Sequence, residues 1–126
     1  MRIIVLAITA AALAACVAPD SEIAILASNA DGLKAFTSDR LCQVYQDSRK
    51  PLIRQELIQR GAVRPAYWQD IDAAAVRIGM TQTEMLCAMW PARLNTTMVS
   101  GITSVQWRQG DHYIYTDNGV ITAIQN

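Results

Sequence analysis

The C-terminal part of the chain carries a two-residue hydrophobic period that is interrupted by two short turn signals. Residues 103–108, 112–116 and 120–125 alternate apolar and polar side chains, which is typical of half-buried strands. Gly110-Asp111 suits a two-residue turn with glycine first, and Asn118-Gly119 is a strong signal for a hairpin. The pattern therefore predicts three consecutive antiparallel strands, one face of which needs a covering layer of helices.

Counting outward from the two turns gives the register of this predicted sheet. Trp107 lies opposite Ile114, and Ile114 lies opposite Ala123. The face expected to be buried carries Val105, Trp107, Ile114, Ile121 and Ala123, and the face expected to be open carries Gln106, Arg108, Tyr113, Tyr115, Thr122 and Ile124.

The open face supplies the candidate residues for binding a partner. Tyrosine and arginine are enriched at protein interfaces, so Gln106, Arg108, Tyr113 and Tyr115 form the predicted partner-binding set. The alternative is that the tyrosines are present only because they are good strand formers. A slip of one residue in either turn would exchange the two faces.

Short helices are predicted before the strands. Ser38 is a candidate N-cap for the first, Pro51 suits the first turn of the second, and Gly61 suits its end. Thr81 and Glu84 match a capping box at the start of a later helix. The apolar positions are Leu41, Val44 and Tyr45; then Leu52, Ile53, Leu57 and Ile58; then Tyr67, Trp68 and Ile71 after Pro65; then Met85, Leu86 and Met89. Arg54, Glu56 and Arg60 form the other face of the second helix, which we expect to be solvated, with an anion clamp as the functional alternative.

Together these patterns predict an α+β fold in which two or three short helices pack on one face of a three-stranded antiparallel sheet. Residues 33–126 form a single domain in this interpretation, with a helical part at 33–75 and a helix plus the sheet at 78–126. The length after the N-terminal segment suits one small domain and leaves no room for two.

The N-terminal segment is typical of an exported and lipidated protein. Arg2 precedes an apolar run, and Leu13-Ala14-Ala15-Cys16 resembles the lipobox of bacterial lipoproteins. The run ends at Pro19-Asp20, which is short of the ~20 residues that a membrane span needs. We therefore predict a signal peptide at 1–15, lipidation of Cys16, and membrane attachment through that lipid. Val17 after the cysteine, where aspartate would favour the inner membrane, favours an outer-membrane location with the domain facing the periplasm.

Residues 16–32 are predicted to form the lipidated cysteine and a tether. The segment is rich in small and polar residues around one apolar patch at 23–26. Fully extended, it would reach ~50 Å. The alternatives are that the patch forms a short helix or docks on the domain.

Two cysteines remain after Cys16. In an oxidising compartment Cys42 and Cys87 are expected to form a disulfide that closes a loop of about 45 residues and contributes on the order of 3–4 kcal/mol. Two free buried thiols are the first alternative. The second is a reactive Cys87 with His112, the only histidine, as its base.

Charge and motif content argue against several functions. The chain has 11 basic and 11 acidic residues, so nothing indicates a nucleic-acid partner. It has no nucleophile elbow, no phosphate-binding loop and no set of His and Cys residues with metal-ligand spacing. Asp70 and Asp72, at i and i+2, do not share a helix face. We predict a protein that is not an enzyme and has no metal, cofactor or small-molecule substrate.

The residues from 78 to 125 carry a family resemblance. The motifs are Gly79-Met80-Thr81 with Glu84, then Pro91, Gln106-Trp107, Tyr113-Ile114-Tyr115 and Asn118-Gly119-Val120-Ile121. In this order they resemble the SmpA/OmlA (BamE-like) family of small outer-membrane lipoproteins. Trp90 stands where members usually have glycine near the first proline, and residues 42–61 have no counterpart that we can assign.

The resemblance implies helices against a three-stranded sheet and a non-catalytic accessory role in outer-membrane barrel assembly or envelope integrity. The predicted function is therefore an interaction module of an envelope protein complex. The alternative is a binding or inhibitor protein that acts on a periplasmic or invading enzyme.

Overall fold

The structure, a computed structural model, describes residues 21–126. The predicted signal peptide at 1–15 and the predicted lipidation of Cys16 lie outside the described residues. The described helices are α1 Glu22–Ala27, α2 Ser38–Ser48, α3 Pro51–Gln59, α4 Trp68–Asp72 and α5 Gln82–Ala88, with short 3₁₀ turns at Gly32–Ala35 and Pro65–Tyr67. The strands are β1 Ala92–Val99, β2 Ile102–Gln109, β3 His112–Asp117 and β4 Val120–Gln125.

The fold is α+β, as predicted, but its sheet has four antiparallel strands in the order β1-β2-β3-β4 where the sequence predicts three. The additional strand is β1, which pairs with β2 through a two-residue turn at Ser100-Gly101. All eight residues of β1 are exposed, so the strand lacks the apolar alternation that reveals half-buried strands. The described residues also contain five α-helices, more than the two or three predicted.

The predicted register holds on one side of β3 and fails on the other. Trp107 lies opposite Ile114, as expected. Ile114, however, lies opposite Ile124 rather than Ala123, because a bulge at Thr122 adds one residue to β4. The bulge turns Ile124 towards the helices, where it packs against the core, and leaves Ala123 exposed on the other face.

One buried cluster joins the sheet to the helices. The sheet contributes Val105, Trp107, Ile114 and Ile121, and the helices contribute the predicted Leu41, Val44 and Tyr45 stripe. The indole N–H of Trp107 donates to the hydroxyl of Thr116, 3.1 Å away, so the largest side chain on this sheet face has no unpaired polar atom.

The helix starts agree with the sequence patterns in most cases. Pro51 occupies the first turn of α3, and Thr81 and Glu84 form the capping box of α5. The first predicted cap is displaced by one residue, because Thr37 rather than Ser38 accepts a hydrogen bond from the N–H of Arg40.

The buried face of α3 differs from the predicted one. Ile58 is 51% exposed, whereas Glu56 is only 5% exposed and is therefore not part of a solvated face. The Glu56 carboxylate accepts hydrogen bonds from Arg60 at 2.9 Å and from Lys34 at 3.2 Å. Two cations compensate the burial of this charge, and the buried residues of α3 are accordingly Ile53, Glu56 and Leu57.

The apolar patch at 23–26 forms part of α1, and this helix docks on the domain. Ser21 caps α1 by accepting from the N–H of Ala24, and Ile25 is fully buried in the core. From Ser21 onward the predicted tether therefore packs on the protein. No helix within residues 21–126 is long and apolar enough to cross a membrane.

A disulfide joins Cys42 on α2 to Cys87 on α5. Both residues are fully buried, at a point where the two helices pack closely together. The bond links the first helical segments to the helix that leads into the sheet. Because its sulfur is bonded to Cys42, Cys87 is not the nucleophile of a pair with His112.

Candidate interaction surface

The structure brings all four predicted partner-binding residues onto the sheet face that points away from the helices. Arg108 on β2 lies directly opposite Tyr113 on β3, and Gln106 lies opposite Tyr115. Arg108 is exposed, and the other three side chains are half-buried. We call this side of the sheet the open face, and it comprises the outward residues of β1 to β4 around Gln106 and Tyr115.

Hydrogen bonds connect side chains of the open face across all four strands. The amide of Asn95 on β1 donates to Gln106 at 3.2 Å, and the amide of Gln106 donates to the hydroxyl of Tyr115 at 3.2 Å. The Tyr115 hydroxyl donates in turn to Gln125 on β4 at 3.1 Å. This row of amides and a phenol is uncharged, and its amide groups keep further donors and acceptors for an incoming polar group.

The open face is positive on one side of this row, two residues along the strands from Gln106 and Tyr115. The guanidinium carbon of Arg108 lies 5.7 Å from the centre of the Tyr113 ring, and Nε of Arg108 donates to the carbonyl of Gly110 at 2.9 Å. These two contacts hold the guanidinium over the ring. Its terminal N–H groups remain available for a planar acceptor such as a carboxylate.

The open face is negative on the opposite side of the row, two residues along the strands in the other direction. Asp117 on β3 lies opposite Ser104 on β2 and accepts a 2.6 Å hydrogen bond from the Ser104 hydroxyl. Within residues 21–126, neither Asp117 nor Arg108 forms a salt bridge. Ser104 and Arg108 are four residues apart on β2, which corresponds to ~13 Å along the strand. The open face therefore presents a positive end, a neutral hydrogen-bonding centre and a negative end.

Sequence reasoning missed part of this face. Asn95 was not assigned because β1 was not predicted. Asp117 and Ser104 could have been found, since counting from the Asn118-Gly119 and Gly110-Asp111 turns already places them opposite one another.

The candidate anion clamp on α3 is closed by the protein's own carboxylates. Arg54 donates to Asp72 at 2.7 Å and to the hydroxyl of Tyr45 at 3.0 Å, and its guanidinium lies 4.4 Å from the Trp68 ring. Burial raises the pKa of Asp72, but hydrogen bonds from Arg54 and Tyr45 outweigh this effect and leave the pKa below its ordinary value. These charged groups stabilise the helical layer and leave no vacant arginine pair for an anion.

The first residues of the family motif also have structural roles. Glu84 is 1% exposed and accepts hydrogen bonds from Arg64 as well as from the backbone of Thr81. Gly79 has φ +97°, and a Cβ there would lie 3.2 Å from the hydroxyl of Tyr67. The Gly-Met-Thr segment is thus required by backbone geometry and capping.

The carboxylate pair Asp70 and Asp72 does not form an acid–base site. Asp70 pairs with Arg77, whereas Asp72 pairs with Arg49 and Arg54, so the two carboxylates serve different contacts. Residues 21–126 contain no group of three or more His, Cys, Asp or Glu side chains placed to hold a metal ion.

Comparisons with known proteins add no identification. The chain matches no family model, no curated protein and no solved structure. The resemblance to the SmpA/OmlA family therefore rests on the residues quoted above.

Proposed function

We propose that this protein is a non-catalytic lipoprotein of the outer membrane whose open face docks on an envelope protein complex. The observation that carries the proposal is the open face itself, where Gln106, Arg108, Tyr113 and Tyr115 stand together on the side of the sheet without helices. The lipobox around Cys16 supports the location. The family resemblance supports a role in barrel assembly or envelope integrity, although a shared fold does not by itself transfer a function.

The charges of the open face suggest what the partner offers. A complementary surface has a carboxylate that reaches Arg108, a cation that reaches Asp117, and hydrogen-bonding groups between them for Gln106 and Tyr115. Because the two charged ends differ in sign, such a partner binds in one orientation. Tyr115 lies at the centre and Tyr113 beside Arg108, and tyrosine is among the residue types that most often dominate binding energy at interfaces.

The lipid anchor can be tested separately from the partner. In cells labelled with a fatty acid, the wild-type chain is expected to incorporate label and fractionate with the outer membrane, whereas Cys16→Ser is expected to do neither. Persistent labelling of Cys16→Ser would contradict the lipobox assignment. Labelled wild-type protein in the inner membrane would contradict the outer-membrane assignment.

The partner is best captured with a photoreactive aromatic amino acid placed at Tyr115. A matched control carries the same group at Ile58, which is 51% exposed on α3 in the helical layer. We expect a covalent adduct with an envelope protein from position 115 alone, and we expect Tyr113→Ser, combined with the probe at position 115, to weaken capture without unfolding the domain. Equal adducts from both positions would refute the open face as the docking surface. An adduct with a soluble enzyme would replace this proposal with the binding or inhibitor function.

A further inference from the structure

A cleft on the helical side of the sheet lies between α2, α5 and the beginning of β1. One wall is the face of α2 around Arg40, and the other is α5 at Leu86, continued by Trp90. Arg93 on β1 and Trp107 on β2, which lie opposite one another in the sheet, close the third side. The cleft has a volume of about 650 Å³, which is within the usual range of small-ligand sites.

Trp90 gives the cleft an accessible aromatic ring. It is 37% exposed, whereas Trp68 and Trp107 are 7% and 4% exposed. It stands where members of the SmpA/OmlA family usually have glycine, so the family pattern does not account for this indole. Leu86 and Pro91 beside it are buried. The cleft therefore offers an apolar floor and an indole against which a second aromatic ring packs favourably.

Arg93 supplies a positive group next to this apolar surface. Its guanidinium carbon lies 4.8 Å from the centre of the Trp107 ring, and its side chain is exposed. Within residues 21–126 it forms no salt bridge. Stacking on Trp107 engages the flat face of the guanidinium and leaves the N–H groups along its edge for a planar acceptor. A carboxylate matches the geometry of this fork.

The other charged groups of the cleft determine how much negative charge a ligand can carry. Arg40 donates to the side-chain oxygen of Gln43, and Asp39 accepts a 2.6 Å hydrogen bond from the hydroxyl of Thr83. The residues that line the cleft thus include two guanidinium groups and one carboxylate. A ligand with a single negative charge balances the excess positive charge, whereas Asp39 repels a dianion such as a phosphate monoester.

We propose that this cleft binds an aromatic carboxylate, with the carboxylate on the guanidinium of Arg93 and the aromatic ring against Trp90. The site is separate from the open face, because Arg93 lies opposite the buried Trp107 and shares the helical side of the sheet with it. It therefore goes beyond the proposed docking function and does not depend on it. Two sources offer this chemistry, a free aromatic acid and the last residue of a polypeptide.

Nuclear magnetic resonance tests the site with a defined probe. The full chain, labelled with ¹⁵N-tryptophan and held in a non-ionic detergent, has one indole N–H for each of its three tryptophans. N-acetyl-phenylalanine is the probe, and its C-terminal amide, which lacks the negative charge, is the matched control ligand. We expect the acid to shift the indole signal of Trp90 with a Kd of about 1 mM, ordinary for so small a ligand, and to leave the signal of Trp68 in place. Equal shifts with acid and amide, or no shift of Trp90 at ~10 mM acid, would overturn the proposal.

Arg93→Gln tests the carboxylate contact in the same assay. The variant loses a hydrogen bond between two charged groups, so its affinity for the acid should fall at least about tenfold. Arg77→Gln is the matched control, because Arg77 is also an exposed arginine and does not line the cleft. Circular dichroism checks that both variants remain folded, as expected for exposed residues. An unchanged affinity for the acid in Arg93→Gln would refute the assigned carboxylate contact.

Two further ligands define the chemistry of the site. Phenyl phosphate, which is a dianion at pH ~8, should bind more weakly than the acid, and tighter binding would overturn the assignment of a carboxylate. A hexapeptide that ends in phenylalanine separates the two sources. Binding at least about tenfold tighter than that of the small acid supports the end of a polypeptide as the ligand, and equal binding supports a free aromatic acid.

Discussion

Replacing Glu84 with glutamine tests the contact that holds the helical part against the start of α5. The Glu84 side chain is 1% exposed and accepts from the backbone N–H groups of Thr81 at 2.9 Å and of Arg64 at 2.8 Å. It also accepts from Nη2 of Arg64 at 2.6 Å. Glu84→Gln keeps the size of the side chain, but it removes the charge and turns an amide donor towards these donors.

The size of the effect follows from these contacts. Each hydrogen bond to a charged group contributes ~1.5–3 kcal/mol, and removing one partner of a buried ion pair costs ~3–5 kcal/mol. The Arg64 side chain is half-exposed, so water recovers part of the loss on that side. We therefore expect Glu84→Gln to lower the free energy of unfolding by roughly 2–4 kcal/mol, whereas the exposed Glu22→Gln should change it by less than about 0.5 kcal/mol.

The effect should also depend on pH. Burial raises the pKa of Glu84, but the hydrogen bonds from Arg64 and Thr81 outweigh burial, so the folded-state pKa lies below its ordinary value of 4.5. The charged form is therefore the stabilising one, and its contribution is present above pH 4.5 and is lost as the pH falls through the lower, folded-state pKa. Urea unfolding at pH 7 and at pH 3 measures this directly. An ordinary surface substitution changes the free energy of unfolding by up to ~0.5 kcal/mol. A smaller difference than this between wild type and Glu84→Gln at pH 7 would contradict the stabilising role of the Glu84 carboxylate. An equal difference at pH 7 and pH 3 would contradict the predicted pH dependence.

Three further substitutions probe the core, the disulfide and the backbone. Trp107→Ala should lower the free energy of unfolding by ~3–5 kcal/mol in urea titration, because it empties a core position and leaves the Thr116 hydroxyl without its donor. An unchanged urea midpoint would contradict the buried position of Trp107. Cys42→Ser with Cys87→Ser should cost on the order of 4 kcal/mol by opening a 45-residue loop, which the shift of the thermal midpoint against the oxidised wild type measures. Gly79→Ala should cost ~1–3 kcal/mol in the same assay, since φ is +97° there and Tyr67 is close; a neutral result would mean that the turn relaxes freely.

Local rules of sequence predicted the elements that depend on local chemistry. The Thr81–Glu84 capping box, Pro51 in the first turn of α3, and the two-residue turn at Asn118-Gly119 all follow from residues within a few positions of one another. The same rules placed Gln106 and Tyr115 together on the open face, because β2 and β3 carry no irregularity between them.

The predictions that were wrong failed because they depended on residues distant in sequence. β1 is recognised only by its pairing with β2, since its own side chains are exposed and give no period. The bulge at Thr122 shifts β4 by one residue without any turn signal, which exchanges Ala123 and Ile124. Glu56 is buried because Lys34, 22 residues earlier, reaches its carboxylate, and no window of sequence around α3 contains that partner.

The docking of α1 changes how freely the proposed lipoprotein can search for its partner. Ser21, where the packed domain begins, is only five positions after Cys16, so Cys16 and the domain are at most ~18 Å apart. The domain is then confined to a thin layer at the bilayer surface, so it meets its partners by diffusion in two dimensions. Proteins embedded in the same membrane are therefore present at a high effective concentration. A partner deep in the periplasm is out of reach, and a lateral neighbour in the same membrane is favoured.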